Sequence, residues 1–454
     1  MTTASSPAQS MSWLSIVRMG LVQTSLGAIV VLTTSTINRV MVVELSLAAL
    51  IPGVLVTLHY ALQFLRPRWG HGSDVGGRRT PWIIGGMALL ALGGAGAAVA
   101  TAVMTYNFYA GFALAVLAFT LVGVGVGATG TNLLTMLATH VSSERRAAAA
   151  TIVWMMMIAG FIVTTIVAGS FLDPFTPMRL VAVASAVSAL AFLVATAALY
   201  NLEDSNKRIA VNTPANAPAA PAANFRQSLS EVWNETAARR FAVFIFVSML
   251  AYSMQDLILE PFAGIVFGLT PGQSTKLSGL QNSGVFTGML MVAIATNPRI
   301  AFGSLRAWTV AGCWASAAAL LALVSAGMTA DVVALKAAAF GLGLANGAYA
   351  VAAIGSMMAL AASGRQKREG MRMGIFGAAQ AMSFGAGGFL GTLAVDVLRH
   401  GVEAPGTAYA IVFAVEAALF AVAAILAVNA TAPAAENGRN TEPARPSSEL
   451  VAHG

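Results

Sequence analysis

Charge is what this 454-residue sequence has least of. Only 9% of its residues are Asp, Glu, Lys or Arg, while 57% are hydrophobic; soluble globular domains carry about 25% charged residues. A water-soluble chain of this size cannot cover its surface with so little charge. That excludes a soluble enzyme, a nucleic-acid-binding domain and a disordered scaffold. Cysteine is nearly missing too: Cys313 stands alone, so neither a disulfide framework nor a multi-cysteine metal site exists. Acidic residues number 18 against 25 basic ones, and the +7 excess takes its meaning from where the basic residues fall.

What is abundant is long apolar runs. Twelve stretches are long enough to cross a bilayer as helices of about 20 residues: 16–43, 47–65, 82–103, 108–137, 148–172 and 180–200, then 241–267, 277–295, 305–325, 332–361, 373–398 and 408–428. Strands of a membrane barrel would be about 10 residues long with alternating polarity, so the runs predict an all-α polytopic membrane protein. The polar stretch 201–240, rich in Pro, Ala and Asn over 212–224, divides the chain into six plus six. Its last part, 225–240, reads as a short amphipathic surface helix. Residues 1–15 form a short N-terminal segment, 16–200 and 241–428 the two six-helix halves, and 429–454 a disordered tail. With the N-terminus inside, 20 of the 25 basic residues fall on the cytoplasmic side and five (Arg39, Arg179, Lys276, Lys336 and Arg399) do not. The positive-inside rule then places both termini in the cytoplasm. Residues 1–10 have no basic region of the signal-peptide kind, so no cleaved leader is expected. Gly123 and Gly125 in the fourth run match Gly341 and Gly343 in the tenth, as a duplicated transporter fold would show.

The loop after the second run reads Gly70-His71-Gly72-Ser73-Asp74-Val75-Gly76-Gly77-Arg78-Arg79. It resembles the G-x-x-x-D-x-x-G-R-R loop of the major facilitator superfamily, with Gly70, Asp74, Gly77, Arg78 and Arg79 at the motif positions and Val75 where a second basic residue is usual. Three further segments narrow the resemblance: Thr33 to Leu45 (TTSTINRVMVVEL), Gln255 to Gly264 (QDLILEPFAG) and Gly374 to Ala381 (GIFGAAQA). Together they resemble the PucC/LhaA family, a bacteriochlorophyll-delivery branch of that superfamily, and the compact second loop looks nearer its LhaA side. The resemblance implies the major facilitator fold and a location in the bacterial inner, intracytoplasmic photosynthetic membrane. It also implies a non-enzymatic role in assembling the core light-harvesting antenna. Bacteriochlorophyll would be the bound pigment, with antenna polypeptides and pigment-synthesis enzymes as partners. The alternative is a secondary transporter of a small amphiphile, driven by protons.

Ionisable residues inside spans are functional candidates by default. Asp256 and Glu260 are four apart, hence on one face of a helix, and two such carboxylates do not both ionise readily in a low dielectric. Arg39, in the equivalent span of the other half, is the expected partner. The cluster is read either as a proton-coupling switch or as an interhelix clamp. His59 and Gln63 share a face of the second span, where an imidazole is a candidate magnesium ligand for a chlorin or a histidine bonded to a neighbouring helix. Asn132, Asn282, Asn346 and Gln380 are intramembrane polar groups expected to bond between helices, and Gln255 is a further intramembrane polar group. The glycines of the fourth run sit in an apolar helix with no preceding strand, so they are packing glycines rather than a nucleotide loop. No hydrolase triad or metal site is apparent.

Overall fold

The computed structural model describes residues 11–65, 78–202, 233–297, 299–362, 369–402 and 404–430, and every regular element among them is helical. In chain order, α1 is Trp13–Val31 extended by π-helical turns Leu32–Ile37 and Val40–Glu44; α2 is Leu50–Ala61; α3 is Thr80–Met104; α4 is Phe108–His140; α5 is Ser143–Phe171; and α6 is Pro177–Leu199. In the second half α7 is Thr236–Met254, a 3-10 turn Gln255–Leu257 and Leu259–Phe267; α8 is Pro271–Ala295; α9 is Leu305–Thr329; α10 is Val332–Ala362; α11 is Glu369–Arg399; and α12 is Pro405–Ala430. The chain is a multi-pass membrane protein. Among the described residues 11 helices are long and apolar enough to cross a bilayer.

The second span is the exception. A full-length helix is expected over 47–65, but α2 is a 12-residue helix followed by a 3-10 turn, Leu62–Leu65. Ser46 adopts a left-handed backbone (φ 54), which turns the chain after α1 and delays α2 to Leu50. At 1.5 Å per α-helical and 2.0 Å per 3-10 residue, the described part is about 26 Å long. The linker differs too. Residues 236–240, expected to finish a surface helix, form the first turn of α7. Residues 225–232 of that expected helix, the Pro/Ala/Asn segment, residues 1–10 and the tail from 431 lie outside the described residues.

The two halves repeat one packing scheme. In the first, α1 packs on α5 and α6, α2 on α4, and α3 on α4 and α6; in the second, α7 packs on α11 and α12, α8 on α10, and α9 on α10 and α12. The halves meet along α5–α8 and α2–α11. Alternating helix directions put Trp13 and Ala430 at one end of the bundle; the opposite end is here called distal. Exposed aromatics mark both ends, Tyr106 and Tyr109 distally and Trp13, Tyr200 and Trp233 at the terminal end, as interfacial belts do.

Without a hydrophobic drive between helices in lipid, close approach of small residues supplies the packing. A Cβ built on Gly123 would lie 2.8 Å from the His59 carbonyl of α2, and one on Gly343 2.0 Å from the Gln281 carbonyl of α8, while Gly341 faces open space. The structurally equivalent glycines are therefore Gly123 and Gly343. A Gly-x-Gly pair allows two alignments, and the sequence match picked the one shifted by a residue pair. A further close contact between α8 and α10 is at Gly288, where a Cβ would meet the Leu344 carbonyl at 2.1 Å. Gly288→Ala should therefore push the two helices apart at an overpacking penalty of about 1–3 kcal/mol, read as a lowered midpoint in thermal unfolding in detergent. Gly85→Ala, with nothing within 4 Å, should leave the midpoint unchanged.

Candidate functional site

The site grows from a break in α7. Pro261 has no N–H to give the carbonyl four residues back, and its ring crowds that carbonyl. The helix accordingly loosens into the 3-10 turn Gln255–Leu257 and restarts at Leu259. The Leu257 carbonyl, released from the helix ladder, accepts a hydrogen bond of 2.7 Å from the Asn38 side-chain amide of α1. Asn38 is fully buried, so this bond crosses between the halves in a dry setting, where an unmade bond is most expensive.

The matching segment of α1 is irregular as well. The Thr33 and Thr34 hydroxyls bond back to the Ile29 and Val30 carbonyls, competing with the backbone ladder, and the helix widens into π turns. π-bulges recur at functional sites. Thr36 from this stretch meets Thr275 of α8 at 3.0 Å, hydroxyl to hydroxyl.

Arg39 is almost fully buried and forms its ion pair with Glu44, not with Asp256 or Glu260. A π turn closes with i→i+5 bonds, and here the Leu45 amide bonds the Val40 carbonyl; this winding sets residue 44 against residue 39. The guanidinium also donates to the Leu269 carbonyl at 2.6 Å. That carbonyl lies just past the C-terminus of α7, which Gly268 ends in a left-handed conformation (φ 67). A cation is favoured there by the exposed carbonyls and the helix dipole. Gly264 makes room for it, since a Cβ at that position would come within 3.0 Å of the guanidinium. Beside the pair opens a cavity of about 500 Å³, lined by Arg39, Glu44, Asp173, Phe175, Leu269 and Thr270 among others.

The expected single face of Asp256 and Glu260 does not form, because the Pro261 break lies between them. Glu260 is buried and accepts from the Ser278 hydroxyl of α8 at 2.5 Å; Arg39 is close enough to act on it electrostatically without pairing. Asp256 turns into the second half, within electrostatic range of Tyr252 and of Glu416 of α12. Glu416 is wholly buried and neither carboxylate oxygen has a hydrogen-bond partner among the described residues. The neighbouring Gln255 is also buried with both amide atoms unpartnered. Glu416 was missed in the sequence, although an acid within the twelfth apolar run is the signal that identified Asp256 and Glu260.

His59 is buried and its Nε2 lies 3.2 Å from the Gln63 amide, so its ring is not presented to lipid. The adjacent Tyr60 meets Phe384 of α11, which in turn meets Tyr252 of α7; these three aromatics join the halves at mid-depth. Of the polar set, Asn346 bonds between helices, accepting from Ser316 at 2.7 Å. Asn132 and Asn282 instead return to carbonyls of their own helices, Ala128 and Ser278, correcting the expectation of interhelix bonds. Gln380 is half-buried. Of the loop motif, Gly70, Asp74 and Gly77 lie outside the described residues; Arg78 is exposed and Arg79 precedes the first turn of α3.

Two duplicated six-helix halves, tied through irregular first and seventh spans, define a membrane protein with the major facilitator fold. A solved structure from work on substrate recognition in proton-dependent oligopeptide transporters superposes with a TM-score of 0.65 at 17% identity, covering 92% of this chain and 98% of that one. The chain belongs to the PucC family: the family model described as PUCC protein matches residues 36–434. It is 49% identical over 422 residues to the bacteriochlorophyll synthase 44.5 kDa chain of Rhodobacter capsulatus, covering 93% of this chain and 96% of that protein. It is 28% identical to an uncharacterized protein of the puhA-bchM intergenic region of Rhodobacter capsulatus, over 89% of this chain and 86% of that protein. Protein PucC of Rhodobacter capsulatus is likewise 28% identical, with 91% of each chain covered. Those two equal identities do not separate the family's branches.

The Arg39 contacts yield an asymmetric expectation. Arg39→Leu leaves Glu44 and the Leu269 carbonyl without their donor and should destabilise the protein by about 3 kcal/mol, as breaking a buried pair does. Glu44 keeps 32% of its side chain exposed, so water can replace it in part, and Glu44→Gln should lose only about 1 kcal/mol. Thermal unfolding of both variants in detergent checks the order; equal losses would show that water does not replace the partner of Glu44.

Proposed function

We propose that this protein is an assembly factor of a photosynthetic membrane, holding bacteriochlorophyll or nascent antenna polypeptides against its apolar surfaces without catalysing a reaction. The observation that carries the reading is similarity along nearly the whole chain to a bacteriochlorophyll synthase chain, within a family whose model spans residues 36–434. The chemistry of the bundle agrees with it. Arg39, Glu260 and Asn38 are engaged in joining helices, and aromatic Tyr60, Phe384 and Tyr252 occupy the mid-depth seam, a setting suited to a flat apolar ligand. The basic-residue bias favours the terminal end as cytoplasmic, with the protein in the bacterial inner membrane.

Proton-coupled transport of a small amphiphile is the second reading, favoured by the unpartnered Glu416 beside Asp256 in a transporter-type fold. Gentle purification from phototrophically grown membranes separates the two. Assembly predicts long-wavelength chlorin absorbance, extractable pigment, and antenna polypeptides captured by crosslinking. His59→Ala should leave that absorbance unchanged, because the ring is buried against Gln63. A colourless preparation with no crosslinked antenna polypeptide would overturn the assembly reading.

A further inference from the structure

Two aspartates hold the distal end of the bundle by reaching from one half to the start of a helix in the other. The first amides of a helix lack intrahelical partners and carry the positive end of its dipole. In α2 that position is Ala49, which has no side chain able to cap. Asp396 of α11 takes its place across the interface: one carboxylate oxygen accepts from the Ala49 amide at 3.0 Å and the other from the Leu50 amide at 2.6 Å. In the repeated position of the other half, Asp173, just past α5, accepts from the Thr270 hydroxyl at 2.7 Å and from the Gly272 amide at 3.2 Å, at the start of α8. Here α8 also has its own capping box, formed by Thr270 and Gln273.

Small residues bring the helices close enough for both contacts. A Cβ on Gly272 would meet the Gly169 carbonyl at 2.4 Å, and one on Gly53 would meet the Thr392 hydroxyl at 2.2 Å. The Asp173 backbone is itself fixed by the Arg179 guanidinium at 2.5 Å. The contacts of Asn38 and Arg39 described above also lie in the distal half of the bundle. Sliding or rocking the halves apart at this end would strip both carboxylates from charged-to-amide bonds, and would leave the α2 amides with no cap at all.

We propose that Asp396 and Asp173 are the paired latches of a distal gate, whose release separates the two halves at the end opposite the chain termini. Because α8 keeps its own cap and α2 does not, Asp396 is the stronger latch. This rests on interface geometry alone and stands whichever ligand the protein carries.

The test uses full-length protein in lipid nanodiscs with the buried Cys313 replaced by alanine. Nitroxide labels go on exposed distal positions of opposite halves, Tyr106→Cys and Met328→Cys (90% and 82% exposed). A second pair within one half, Tyr106→Cys and Met178→Cys, reports whether that half stays folded. Electron–electron distance measurement should give one short inter-half distribution in the parent. In Asp173→Ala/Asp396→Ala a longer population should replace much of it, with Asp396→Ala alone shifting more than Asp173→Ala alone and the intra-half distance unchanged. An unchanged inter-half distribution in the double variant would overturn the proposal. If the alanine variants disturb the intra-half pair, Asp173→Asn/Asp396→Asn, which keeps shape but removes charge, must show the longer population; its absence there overturns the proposal equally.

Discussion

The arrangement of this bundle depends on one carbonyl. Pro261 cannot satisfy the Leu257 oxygen from within α7, and Asn38 satisfies it from α1. Everything distinctive nearby follows from that exchange. The helix break separates Asp256 from Glu260 and turns one toward Glu416 of α12 and the other toward α8. The restarted helix ends at Gly268, where the exposed Leu269 carbonyl receives the Arg39 guanidinium. In a lipid environment no water can stand in for a missing partner of the buried Leu257 carbonyl, so α1 and α7 must be irregular together.

The two-half repeat then sets where charge can sit at acceptable cost. Arg39 is accommodated by a helix C-terminus and by Glu44, Glu260 by serine hydroxyls of α8, and Asp173 and Asp396 by helix N-termini across the interface. Each ionisable group is matched to a backbone dipole or a short polar side chain supplied by a different helix. Glu416 departs from this pattern, buried in the second half with Asp256 as its electrostatic neighbour. That departure distinguishes the interior of the second half from the first.

Much of the fold was legible in the sequence, because apolar length and the long polar linker report directly on membrane spans. The site was legible in composition but not in geometry. Asn38, Arg39, Glu44, Asp256 and Glu260 all fall within the segments that resemble the family, yet regular-helix spacing misassigned their partners. An i, i+4 rule places Asp256 with Glu260, whereas Pro261 breaks the helix between them. The same rule overlooks Glu44, five residues from Arg39, because the π turn that pairs them has no simple sequence mark. Asp396 was hidden for another reason: it caps a helix 346 residues earlier in the chain, a contact that only the packed halves reveal. His59 was open to two readings from its residue type, pigment ligand or hydrogen-bonded histidine, and the fold places it in a buried position beside Gln63 of its own helix.

The most direct test of the Pro261–Leu257–Asn38 dependence is a double-mutant cycle of Asn38→Ala and Pro261→Ala, followed by unfolding in detergent. With Pro261 present, Asn38→Ala strands a buried carbonyl and should lose about 1–3 kcal/mol. With Pro261→Ala, the residue 261 amide can reclaim the Leu257 oxygen, and Asn38→Ala should then lose much less, giving clear non-additivity. Strict additivity of the two substitutions would contradict the dependence of the seam on that one carbonyl.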